Sequence, residues 1–183
     1  MALALAACRG SNAPLVTFDP TGPCTSDGQQ PGAYPDMEAL LPGAYGDERP
    51  TNVDSGRTCT PTSLGTLAAA GVEELRFAGA TWKLGGTSGM TLAVFQADGL
   101  DAAAMRGFYE AGASAARRTE KVALSDTTVG GAPAKRLDVL GSDGTGQTVV
   151  AWPGAEEGTV WVLLAADMGD TKVAEALATF GSR

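Results

Sequence analysis

The residues able to do covalent chemistry are few. Cysteines stand at positions 8, 24 and 59, and histidine is absent. Cysteine sulfur supports acylation, disulfide formation, metal ligation or nucleophilic attack. Without imidazole, Cys-His and Ser-His-Asp nucleophile systems, imidazole general bases and most zinc sites are excluded. The three cysteines are scattered, with no CxxC spacing, so neither a metal nor a cofactor is expected. They allow three single pairings. Cys24 and Cys59 both lie in turn-rich sequence, Gly22-Pro23-Cys24-Thr25-Ser26-Asp27-Gly28 and Gly56-Arg57-Thr58-Cys59-Thr60-Pro61. Other catalytic patterns are missing. Gly112-Ala113-Ser114-Ala115-Ala116 lacks the second glycine of a nucleophile elbow and falls within a helical stretch. No Ser-x-x-Lys occurs, and the glycine clusters at 85–89 and 141–146 lack the Lys-Ser/Thr ending of a phosphate loop. Asp138 with Asp143, and Glu156 with Glu157, do not match a calcium loop and read as exposed acids. No catalytic residue is assigned. A carboxylate-based hydrolase acting on a cell-envelope or extracellular substrate stays as an alternative, since it needs only two acids about 5–10 Å apart.

Around Cys8 the sequence is Leu5-Ala6-Ala7-Cys8, followed by the polar run Arg9-Gly10-Ser11-Asn12. This resembles the lipobox of bacterial lipoproteins: a branched residue at −3, small residues at −2 and −1, then the cysteine that takes the diacylglycerol. The resemblance implies lipidation at Cys8 and an extracytoplasmic chain, anchored to the bacterial cell membrane through that lipid or secreted. Seven residues precede Cys8, none of them basic. A complete signal has a basic start and an apolar stretch of about 7–15 residues, so residues 1–8 read as a signal-peptide remnant. If Cys8 is acylated, Cys24–Cys59 is the pairing that is left. Chain entropy puts such a bridge at about 4 kcal/mol. Its segment needs a staple: eight of the ten prolines fall between Pro14 and Pro61, and apolar periodicity there is poor.

The chain has 183 residues, 44% of them hydrophobic and 19% charged, which suits one domain with a real core plus a tail. Its net charge of −8 disfavours nucleic acid and anionic membrane surfaces. That charge is spread evenly, with no like-charge block. No other apolar run is long enough to span a bilayer.

These residues must be positioned by the following elements. Residues 9–35 read as tether and loop. Residues 36–71 read as a disulfide-stapled segment of loops and short helices, with one or two turns at 35–41 and loop over 42–58. Thr60-Pro61 starts a helix with Leu64, Leu67, Ala68 and Val72 at helical spacing and Gly71 as its stop. Residues 72–183 read as an α+β domain. Glu74–Ala78 and Thr81–Leu84 are short strands around Gly79, and Met90–Ala97 is a third strand. Asp98–Asp101 opens a helix to about Arg118, with Met105, Phe108, Tyr109 and Gly112 on its apolar face; Gly112 there suits close approach to a sheet. Lys121–Ser125, Ala134–Leu140, Gln147–Trp152 and Thr159–Ala165 are strands joined by Gly-rich hairpin turns. Asp170 caps a last helix, Thr171–Phe180, with Val173, Leu177 and Phe180 on one face. The fold class is therefore α+β: a mainly antiparallel sheet packed with two longer helices, behind a loop-rich N-terminal segment.

Gly131-Ala132-Pro133-Ala134, the strands Thr148–Trp152 and Val160–Leu163, and a terminal helix ending in Phe180 together resemble the second half of PsbP-like domains. The resemblance spans residues 72–181 at the level of element order. It implies an antiparallel sheet between helices and a binding or accessory role, with no catalytic residues. Trp152 and Trp161 fall on one face by strand alternation, where they are either core or an aromatic binding surface. The expected function is a non-catalytic extracytoplasmic lipoprotein domain that binds a protein partner or a small apolar ligand. A self-associating structural surface protein is the further alternative.

Overall fold

The computed structural model describes residues 18–181. Its strands are β1 (Gly28–Gln30), β2 (Asn52–Thr58), β3 (Leu75–Gly85), β4 (Ser88–Gln96), β5 (Thr119–Val129), β6 (Ala132–Gly141), β7 (Gly146–Pro153) and β8 (Thr159–Ala166). Its helices are α1 (Pro35–Glu38), α2 (Pro61–Leu64), α3 (Thr66–Ala69), α4 (Ala102–Ala115) and α5 (Asp170–Phe180). All the strands join one antiparallel sheet in the order β1-β2-β3-β4-β8-β7-β6-β5. The α+β class with a mainly antiparallel sheet and two longer helices is what the residue pattern predicts.

Strand alternation sends side chains to two cores. Leu92, Val94, Val150, Leu163 and Ala165 face one side, where Val173, Ala176 and Phe180 of α5 and Met37 of α1 cover them. Val149, Ala151, Val160 and Val162 face the other, beneath α2, α3 and Met105 of α4. α4 begins where expected: the Asp101 carboxylate accepts the Ala104 amide at 2.7 Å. It ends at Ala115, before the expected Arg118, because Ala116 turns to extended backbone (φ −75, ψ 130).

Five local expectations are corrected. β3 runs unbroken through Gly79, which pairs with Asp54 on one side and Ala93 on the other. The loop predicted over 42–58 contains β2, and the tether-and-loop stretch contains β1. β2 lacks the apolar alternation of a strand because its inner positions are Ser55, Gly56 and Arg57; Ser55 and the terminal nitrogens of Arg57 make hydrogen bonds instead of apolar packing. The helix expected after Thr60 is two single turns, α2 and α3, broken at Gly65 (φ 52, ψ −120). Asp170 sits inside the first turn of α5, with Gly169 at the cap position. There its carboxylate suits the helix dipole and takes a 2.6 Å bond from Arg136.

Cys24 and Cys59 are disulfide-bonded, with Cα atoms 5.3 Å apart. Beside the bridge, Arg57 is only 4% exposed. Its guanidinium donates to the backbone carbonyls of Asp19, Gly22 and Pro23 at 2.8–3.0 Å and lies over the Phe18 ring. It also pairs with Glu74 at 3.5 Å. The N-terminal loop is thus wrapped around a buried cation that no local sequence pattern singles out.

Asp27 ties the same region to α2. Its carboxylate accepts the amides of Cys59 (2.7 Å) and Thr60 (2.8 Å) and the Thr60 hydroxyl (2.8 Å). Burial alone would raise its pKa; hydrogen bonds from Ser63, the two amides and the Thr60 hydroxyl outweigh this and bring it from 3.8 to about 2. The ionised form is favoured by folding, so its contribution is complete above pH 3.8 and lost as pH falls towards 2. Asp27→Asn is expected to lower stability at neutral pH by about 1 kcal/mol, after allowance for solvent screening at this exposed site. The gap to wild type should shrink in acid, followed by circular dichroism at pH 7, 4 and 2.5. A gap that stays constant from pH 7 to 2.5 would show that the charge is not what holds the loop.

Candidate functional site

α4 is rich in small residues, and this decides the shape of the site. Met105 anchors its N-terminal half in the core, fully buried. Towards its C-terminal end Gly112 and Ala113, with Ala116 just beyond the helix, line the side towards the sheet and are too small to reach β6 and β7. The result is a cleft of 510 Å³ between α4, the α2–α3 turn and the sheet. Gly112 was expected to let the helix approach the sheet closely. Instead, a Cβ placed there would meet no atom within 4 Å, so this glycine leaves space open.

Leu137, Val139 and Val149 form the floor. Phe108 and Tyr109 form one end, packed edge to face with ring centroids 5.5 Å apart. The turn of Ser63, Gly65 and Thr66 forms a wall beside the Phe108 ring, and Asp27 and the disulfide hold the start of that segment in place. No charged side chain lines this cleft. Its polar groups are hydroxyls and the amide of Gln147. Burial pushes the Tyr109 phenol well above the usual tyrosine range, so it stays protonated at every physiological pH. Such a cavity lies within the usual size of ligand sites, about 300–1,000 Å³. It suits an uncharged, mainly apolar molecule and offers no acid–base pair.

The chain matches no protein-family model, no curated protein and no solved structure in these comparisons. The site must therefore speak through its own geometry.

Cys8 lies outside the described residues. Trp152 and Trp161 are directly paired across β7 and β8 on one face, as alternation implies. They are 1% and 4% exposed, so they are core, and the open aromatic binding surface is corrected. The α5–α1 layer covers that face. Asp138, weighed as a calcium ligand, is instead held by Arg136 through two 2.8 Å bonds and by the Thr148 hydroxyl at 2.7 Å. Burial opposes its ionisation, and those partners more than compensate, lowering its pKa. Among the described residues no cluster of three or more Cys, Asp or Glu side chains is arranged to hold a metal ion. The cleft itself was missed by sequence reasoning. Its signal was present in the small residues at 111–113 and 115–116, on a helix otherwise anchored by Met105, Phe108 and Tyr109.

Proposed function

We propose that this chain is a non-catalytic, extracytoplasmic lipoprotein domain that holds a small, uncharged apolar ligand between α4 and the sheet. The observation that carries this reading is the α4 cleft, apolar in its floor and end wall and free of charged lining groups. The formed disulfide fits an oxidising compartment. In this reading any membrane attachment is through a lipid on Cys8; among the described residues no helix is long and apolar enough to cross a membrane.

The cleft is tested by filling it. In Gly112→Leu a side chain replaces empty space on the inner face of α4. Stability should hold or rise, because replacing a helical glycine removes a penalty of about 1 kcal/mol. Binding of N-phenyl-1-naphthylamine, a neutral apolar dye, should fall about ten-fold or more in a fluorescence titration. Equal dye binding by a variant with unchanged melting temperature would remove the cleft as the site. Lipidation is tested separately by mass spectrometry of the protein from its source. A native cytosolic protein with three free thiols would overturn the lipoprotein reading.

A further inference from the structure

One polar group of the α4 cleft is set apart by its burial. Tyr109 lines the cleft and is half-buried, its ring packed edge to face on Phe108 and against the core beneath α4. Among the described residues its hydroxyl has no hydrogen-bond partner. Nor is that oxygen sealed off. The fully enclosed side-chain nitrogens and oxygens that lack a partner are Arg57 Nε and Trp152 Nε1, both elsewhere in the fold. The phenol therefore keeps access to open space, and the space that Tyr109 lines is the cleft.

The chemistry of that hydroxyl follows from its surroundings. Burial keeps it protonated, so it donates. The hydroxyls of Thr62 and Thr66 and the amide of Gln147 also line the cleft, but these residues are exposed. Their bonds to a ligand replace bonds to water and discriminate weakly. A ligand seated on the floor of Leu137, Val139 and Val149 covers the Tyr109 phenol as well and strips its water. A hydrocarbon then leaves a buried donor unpaired, whereas an oxygen acceptor restores the bond. A carboxylate accepts too, but the lining holds no cation to pair with it, and an unpaired charge is costly to take out of water. A neutral carbonyl meets both conditions.

We infer that Tyr109 is the specificity-determining residue of the cleft, donating its hydroxyl hydrogen to the carbonyl oxygen of a neutral, apolar ketone or ester. This rests on the reading of the α4 cleft as the ligand site, and it narrows the ligand class. The lining runs along α4 from Tyr109 to Ala113 and on to Ala116, about 10 Å at the helical rise per residue. The apolar body of the ligand lies along that length, with its carbonyl at the aromatic end.

The test displaces N-phenyl-1-naphthylamine from the full-length protein with three probes of similar shape. These are 2-acetylnaphthalene, 2-isopropenylnaphthalene, in which a methylene group replaces the carbonyl oxygen, and 2-naphthoate. The ketone should bind about three- to ten-fold more tightly than the olefin, the worth of one neutral hydrogen bond. Naphthoate should bind more weakly than the ketone. Tyr109→Phe should make ketone and olefin equal while leaving the melting temperature unchanged, because the hydroxyl has no partner in the protein to lose. Tyr45→Phe removes a hydroxyl on the other face of the sheet and should leave the preference intact. If Gly112→Leu weakens dye binding but ketone and olefin bind the wild type equally, or keep their ratio in Tyr109→Phe, the carbonyl assignment falls and the cleft stands. Tighter binding of naphthoate than of the ketone overturns it in the same way. A lower melting temperature in Tyr109→Phe would place the hydroxyl in a bond within the protein and overturn it too. Dye binding untouched by Gly112→Leu removes the cleft itself, and this inference with it.

Discussion

Changing Cys24 and Cys59 together to alanine is expected to lower the unfolding free energy by about 2–5 kcal/mol. The bridge spans 35 positions of sequence, and within that span most backbone order comes from loops and the two short strands β1 and β2. Without the bridge the unfolded chain gains freedom that little apolar burial nearby offsets. The local consequences should be specific. Arg57 would lose the fixed carbonyls of Asp19, Gly22 and Pro23, and the Asp27 cap on α2 would weaken. Urea denaturation followed by tryptophan fluorescence measures the loss, and the wild type under reductant should reproduce it. A double variant as stable as the wild type would mean that the Arg57 clamp alone orders this region.

The second large effect is expected at Gly130. Gly130 and Gly131 form the two-residue turn between β5 and β6, with φ of 58 and 86. Both need the left-handed region that glycine enters freely. They differ in surroundings. A Cβ on Gly130 would run into the backbone carbonyl of Gly181, at the end of α5, whereas one on Gly131 would meet nothing within 4 Å. Gly131→Ala should therefore cost about 1 kcal/mol, from backbone strain alone. Gly130→Ala should cost about 2–4 kcal/mol, because α5 must also shift and loosen Phe180 from the core. Chemical denaturation of the two variants side by side isolates the contact. Equal losses would show that α5 does not rest on this turn.

The legible parts of this fold are those where one physical signal dominates. Met105, Phe108, Tyr109 and Gly112 follow helical spacing, and α4 forms with that face towards the sheet. Alternation across 147–152 and 159–165 places Trp152 and Trp161 as cross-strand neighbours. The illegible parts are where hydrogen bonding or emptiness takes over. β2 is a strand because β1 and β3 flank it and because the buried Ser55 and Arg57 find hydrogen-bond partners distant in sequence, none of which is a local property. The pairing of β4 with β8 is invisible to periodicity. Trp152 and Trp161 were assignable to a face but not to burial, because what covers a sheet is set by distant helices. The α4 cleft was hidden for the converse reason: Gly112 looks like a close-packing residue until its surroundings are known.

The strand order also says how the chain must come together. β1 to β4 pair in succession, and so do β5 to β8, so each half is a meander of ladders between neighbouring strands. A single ladder, β4 with β8, sews the halves into one sheet, matching residues as far apart in sequence as Gly89 and Ala166. The entropy of closing the long loop between those strands is therefore met at one seam, after the local ladders have a framework to zip onto. That seam lies in the middle of the sheet, where Leu92, Val94, Val162 and Leu163 are fully buried. Its apolar density is what allows two locally assembled halves to close as one cooperative unit.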